Sequence, residues 1–124
     1  MDEFTVVVDD HEFTATWVAE NPETRAAIAD ALPIEGRASR WGDELYFSTD
    51  IEVPIENARE TVEPGTLAYW PQGQAVCLFW GPTPASTDDE PRAASPVNVF
   101  ARITETTPLS RIDGGARMRL SSKK

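Results

Sequence analysis

The run Ala75-Val76-Cys77-Leu78-Phe79-Trp80 constrains this 124-residue chain more than any other stretch. It is unbroken by any polar residue and far too short to cross a membrane. On an extended chain, successive side chains face opposite ways, which sets Ala75, Cys77 and Phe79 on one side and Val76, Leu78 and Trp80 on the other. A strand apolar on both faces must be covered on both, so residues 75–80 are expected to form a central strand.

The remaining chain supplies strands to surround it. Residues 3–8 are a β-branched run closed by the turn signal Asp9-Asp10. In residues 11–18, Phe13, Ala15 and Trp17 alternate with Glu12, Thr14 and Thr16, which predicts an antiparallel hairpin with one wet face. A single helix follows. Asn21 is placed to cap it, Pro22 fits its first position, Ala27, Ile28, Ala31 and Leu32 make its apolar stripe, and Pro33 ends it. Beyond residue 34 the pattern is of short strands at 34–41, 44–48, 67–70, 75–80, 97–104 and 116–121, with a broken piece at 51–55. Eight or nine strands with one clear helix predict a small closed barrel or sandwich, and 124 residues suit one domain, 1–124. The proline-rich stretch 81–96 is long for a plain connection, and residues 105–115 have room for one helical turn at 109–112.

Charge removes several functions. Asp and Glu number 21 against 11 Lys and Arg, a formal net charge of -10, so a nucleic-acid backbone would be repelled. With no membrane-length apolar segment and no charged-then-apolar leader, the expectation is a soluble, cytoplasmic chain with no membrane partner. One cysteine, Cys77, and one histidine, His11, exclude an internal disulfide and a Cys/His zinc site within the chain, and no metal or cofactor is expected. The only lysines are Lys123 and Lys124. Acid-rich, lysine-poor surfaces keep a protein hydrated in concentrated salt, and we read the charge as adaptation of that kind, expected of a halophilic source, ahead of an acidic binding surface.

Three segments concentrate aromatic, Gly and Pro residues: 40–47, 67–74 and 77–84. Flat side chains beside tight turns commonly build shallow pockets, although a single aromatic side chain is more often part of a core. Asp43 and Glu44, adjacent on a strand, point to opposite faces and read as solvated turn acids. His11 reads as an exposed turn residue and Cys77 as a buried, inert thiol. Arg40, Arg59, Arg117 and Arg119 read as partners of surface carboxylates, with Arg40 and Arg59 also near the aromatic segments in sequence.

Taken in order, Trp41-Gly42-Asp43-Glu44-Leu45-Tyr46-Phe47, Tyr69-Trp70-Pro71-Gln72-Gly73-Gln74-Ala75-Val76-Cys77-Leu78-Phe79-Trp80-Gly81-Pro82-Thr83-Pro84 and Ala94-Ser95-Pro96-Val97-Asn98-Val99 resemble the small, atypical cyclophilin-like proteins of bacteria and archaea. The resemblance spans most of the chain and implies a mainly β fold, a closed eight-stranded barrel with one or two short capping helices. Ordinary cyclophilins are peptidyl-prolyl isomerases. They ease rotation over an amide barrier of about 18–20 kcal/mol with an arginine donor to the prolyl nitrogen, carried in a Phe-His-Arg stretch followed by Pro-Gly-Phe. The counterpart here, Tyr69-Trp70-Pro71-Gln72-Gly73-Gln74, has neither the histidine nor the arginine.

The resemblance therefore implies a domain that binds a proline-containing peptide or small molecule in an aromatic pocket, with isomerase activity absent or weak. Tyr46, Tyr69, Trp70, Gln72 and Phe79 are the binding candidates, and the 81–96 stretch is the expected rim. The second reading is an active prolyl isomerase with Arg59 as donor. The third is a homo-oligomer in which a second copy covers the aromatic segments. The charge reading makes its own prediction: the thermal midpoint should climb steeply between dilute and molar KCl, and a midpoint flat across that range would refute it.

Overall fold

The computed structural model describes residues 2–122; Lys123 and Lys124 lie outside them. Among the described residues run β1 (Glu3–Val8), β2 (His11–Trp17), α1 (Pro22–Ala31), β3 (Ile34–Arg40), β4 (Glu44–Ser48), β5 (Arg59–Thr61), β6 (Thr66–Trp70), β7 (Ala75–Phe79), β8 (Arg92–Ile103), a 3-10 turn (Thr107–Arg111) and β9 (Ala116–Ser122). Eight strands close on themselves in the order β2-β1-β9-β3-β4-β7-β6-β8, and β2 pairs β8 to complete the ring. Neighbours in the ring are antiparallel throughout. The short strand β5 stands outside it, paired with the first half of β8.

The two faces of β7 set the layering. Val76 and Leu78 turn inward and join Leu45, Phe47, Leu67 and Tyr69 in the cluster that fills the ring. Cys77 and Phe79 turn outward and join Val62, Ala68, Ala93, Val97 and Val99 in a second cluster on the outer wall. Burial on the inner side is completed by Phe4, Trp17 and Phe100, whose rings pack with centroids 4.3 to 6.4 Å apart. The extra residue that lets β8 follow the curve of the ring is Phe100: Leu67 pairs Ala101 and Ala68 pairs Val99, so Phe100 has no partner on β6.

Helix α1 packs on β8 and buries Thr24 and Ile28, with Ala27 and Leu32 partly covered. Asn21 holds the N-cap position, and its carbonyl accepts from Arg25 N at 2.9 Å, but its side chain makes no capping bond. Its amide is wholly buried and bridges other chain segments, Nδ2 donating to the Val99 carbonyl at 2.9 Å and Oδ1 accepting from the Asn57 backbone at 2.6 Å. The free N–H groups of Glu23 and Thr24 instead donate to the Glu56 carboxylate at 3.0 and 3.1 Å, a cap supplied from elsewhere in the chain.

Two expectations are corrected. Residues 51–55 form no strand, because their carbonyls serve side chains and not a ladder: Ile51 accepts from the Tyr69 hydroxyl at 2.6 Å and Pro54 from Asn98 Nδ2 at 3.0 Å. The connection after β7 is also shorter than 81–96. β5, which the sequence pattern did not announce, pairs with the start of β8, so that strand begins at Arg92, and Pro96 is accommodated where this pairing loses register. The linking residues are held by their own bonds, including Thr83 N to Ser86 Oγ and Asp88 N to the Glu90 carboxylate.

Asn98 ties these pieces together, since it donates to Thr24 Oγ1 and the Pro54 carbonyl, both at 3.0 Å, and accepts from the Glu56 backbone at 3.1 Å. Asn98→Ala leaves these groups without their partner and is expected to cost about 1–3 kcal/mol in urea unfolding; an unchanged midpoint would contradict the role assigned to this residue.

Candidate binding pocket on the outer wall

Outside the ring, where β4, β7 and the start of β8 meet, lies a pocket of about 270 Å³ lined by Trp41, Glu44, Tyr46, Trp70, Cys77, Ala93, Ala94 and Val97. Strand alternation explains the membership. On β4, Leu45 and Phe47 face inward, so Glu44 and Tyr46 face out. Tyr46 pairs with Cys77 across the β4–β7 ladder, and Glu44, paired with Phe79, stands diagonal to Cys77 on the same face. Glu44, Cys77, Ala93 and Val97 are buried and form the floor, while Trp41, Tyr46 and Trp70 remain half-buried and form the walls.

The walls are fixed from behind. Tyr46 and Trp70 meet edge to face, with ring centroids 6.2 Å apart and planes at 83°. Trp70 Nε1 donates to Ser95 Oγ, and the other edge of the indole lies on the backbone of Gly73, where a Cβ would stand 2.2 Å from Cε3. Only glycine at that turn lets the ring lie flat. The turn carrying Trp41 and Glu44 is held by backbone bonds to the end of β7, Asp43 N to the Pro82 carbonyl at 2.9 Å and Trp80 N to the Asp43 carbonyl at 3.0 Å. Arg40 clamps it from the opposite side, donating to the Gly42, Ser110 and Ile112 carbonyls and pairing with the Asp43 carboxylate at 2.9 Å, its guanidinium 5.2 Å from the Trp80 ring centre.

Glu44 is the chemically distinctive group. It is only 4% exposed, and among the described residues no cationic side chain pairs with it. Burial penalises its charged form and raises its pKa from 4.5 to about 7, against a smaller opposing pull from the thiol of Cys77, which hydrogen-bonds its carboxyl. Burial likewise pushes the Cys77 thiol well above its ordinary range, and the neighbouring charge of Glu44 adds to this. The thiol thus stays protonated and donates. A carboxyl poised near neutrality in an apolar cleft can exchange a proton or face a cation.

The sequence candidates fall in different places. Tyr46 and Trp70 line the pocket. Tyr69 points into the ring, its hydroxyl bonded to Ile51, and Phe79 is fully buried beneath the floor. Gln72 is exposed on the turn between β6 and β7. Arg59 does not line the pocket: its guanidinium is held by Glu20 at 2.7 Å and Glu63 at 3.1 Å, bonds that raise its pKa still further. Of the expected rim, 81–96, Ala93 and Ala94 line the pocket, both on β8, Ala93 in the floor and Ala94 at the exposed edge. Glu44, read as a solvated turn acid, is instead buried, because β4 begins at that residue and turns it toward the outer cluster. Its two-residue spacing from Tyr46 was the available signal.

A closed antiparallel ring of eight strands places the chain among the small barrel-like β proteins. A family model described as Cyclophilin-like matches residues 3–121, and the chain belongs to that family. The solution structure of the hypothetical protein AF2241 from Archaeoglobus fulgidus is similar at 41% identity with a TM-score of 0.81, covering 98% of this chain and 94% of that one. The structure of McbB in complex with tryptophan is similar in fold, at 14% identity and a TM-score of 0.70, over 97% of this chain and 44% of that one. None of the curated proteins matches the chain.

The buried carboxyl predicts a pH effect of definite sign. Between 4.5 and about 7 the folded chain keeps a proton on Glu44 that the unfolded chain has released, so stability present below 4.5 is lost as pH rises through 7. Glu44→Gln does not titrate. Relative to wild type it should gain up to roughly 3 kcal/mol between pH 5 and pH 8 in urea unfolding, and parallel curves for the two proteins would show that Glu44 titrates normally.

Proposed function

We propose that the chain binds a small organic ligand in the pocket framed by Trp41, Tyr46 and Trp70, and that it catalyses prolyl isomerisation weakly or not at all. The observation that carries this reading is the lining itself: three half-buried aromatic side chains converge on an apolar floor that holds one carboxyl. Proteins ordinarily cover such rings, and leaving them beside a preformed cleft suits a ligand that stacks on them. At about 270 Å³ the pocket is near the lower end for ligand sites, with room for a ring and a short substituent and not for a length of peptide.

Against efficient isomerisation stands the absence of a guanidinium or imidazole among the lining residues. Arg59, the donor of the isomerase reading, and Arg40 are each engaged by carboxylates. In a protease-coupled prolyl-peptide assay the rate is expected to match buffer. Titration with 2-phenylethanol followed by NMR should shift the indole N–H signals of Trp41 and Trp70. Signals of both indoles unmoved at millimolar probe, or an isomerase rate well above buffer, would defeat the respective half of the proposal.

A further inference from the structure

We propose that the pocket selects an organic cation, an ammonium carried on a ring-bearing frame, seated between Trp41, Tyr46 and Trp70 with Glu44 as its counter-ion. This rests on the reading of the pocket as a ligand site. A carboxylate taken out of water is costly unless a positive charge accompanies it, and the protein supplies none: the other lining groups are aromatic, aliphatic or the thiol of Cys77. An ammonium entering the pocket provides the missing partner. Its remaining surface would lie among three aromatic rings, whose faces attract cations.

The surroundings favour the same sign of charge. With Glu44 the pocket is lined by Tyr46 from its own strand, Cys77 from β7, whose thiol hydrogen-bonds the carboxyl, Trp41 from the turn before β4 and Trp70 from β6, while β8 contributes only Ala93, Ala94 and Val97. Asp43, the nearest other acid in sequence, is turned away and paired with Arg40. No cationic side chain lines the cleft to repel a positive ligand, and an anion would meet Glu44 directly. The net charge of -10 further concentrates cations near the surface at low ionic strength.

A neutral ligand held by protonated Glu44 as a donor is the competing arrangement, and pH separates the two. A cation requires the carboxylate, so its binding releases a proton and strengthens as pH rises through about 7. A hydrogen-bond acceptor requires the acid form and binds more weakly over the same range.

Calorimetric titration at fixed ionic strength with 2-phenylethylamine, which stays charged from pH 5.5 to 8, and with neutral 2-phenylethanol tests this directly. The amine is expected to bind about tenfold more tightly than the alcohol at pH 8, to lose most of that advantage at pH 5.5, and to release a proton near pH 6.5. In Glu44→Gln, checked for folding by its urea midpoint, the amine should fall to the level of the alcohol with no pH dependence. Equal binding of the two probes by wild type, or binding that strengthens in acid, overturns the cation proposal and leaves the pocket reading standing. Failure of both probes to bind overturns both.

Discussion

Everything in this fold follows from a strand that must be covered twice. The inner face of β7, Val76 and Leu78, is satisfied by closing eight strands around it. The outer face, Cys77 and Phe79, demands a second layer, and the chain builds one from β5, the first half of β8 and the aromatic side chains of β4 and β6. That layer is thinner than the ring. Cys77, Ala93 and Val97 belong both to the outer cluster and to the floor of the pocket, which is to say that the cleft opens where the cover over β7 runs out.

At that boundary the ordinary preference of a carboxylate for water is overruled by strand register. Glu44 begins β4, and its orientation is dictated by Leu45, which has to enter the ring; no rotation of the strand exposes the acid without exposing the leucine. The carboxyl is therefore held in an apolar cleft by the hydrophobic demand of its neighbour. Asp43, one residue earlier and in the turn, escapes this coupling and finds Arg40.

Much of the ring was legible in the sequence because period-two alternation is a strong signal: residues 44–48 were placed to the residue, and the hairpin of β1 and β2 and the two faces of β7 follow directly from the pattern. What alternation does not encode is which strands become neighbours. Glu44, Tyr46 and Cys77 meet only because β4 pairs β7, although 31 residues separate Tyr46 from its partner Cys77 in the chain. For the same reason Tyr69, next to Trp70 and equally aromatic, appeared an equal candidate although it faces the opposite side of the sheet. β5 was invisible because three residues, Arg59, Glu60 and Thr61, carry no apolar pattern at all. Asn21 stands where a cap is expected but spends its side chain elsewhere: an amide suited to capping a helix is equally suited to bridging two distant backbone groups, the Val99 carbonyl and the Asn57 N–H.

The twelve-residue strand β8 holds two offices along its length. From Asn98 onward it joins β6 and β2 and thereby shuts the ring; before that, at Ala93, Ala94 and Val97, it supplies floor and edge of the cleft. A cleft whose rim is continuous with the clasp of the ring has no separate hinge on that side. Its shape is inherited from the whole molecule, so a molecule of the kind proposed would find the seat already made, and little ordering of the backbone would be spent at the moment of encounter.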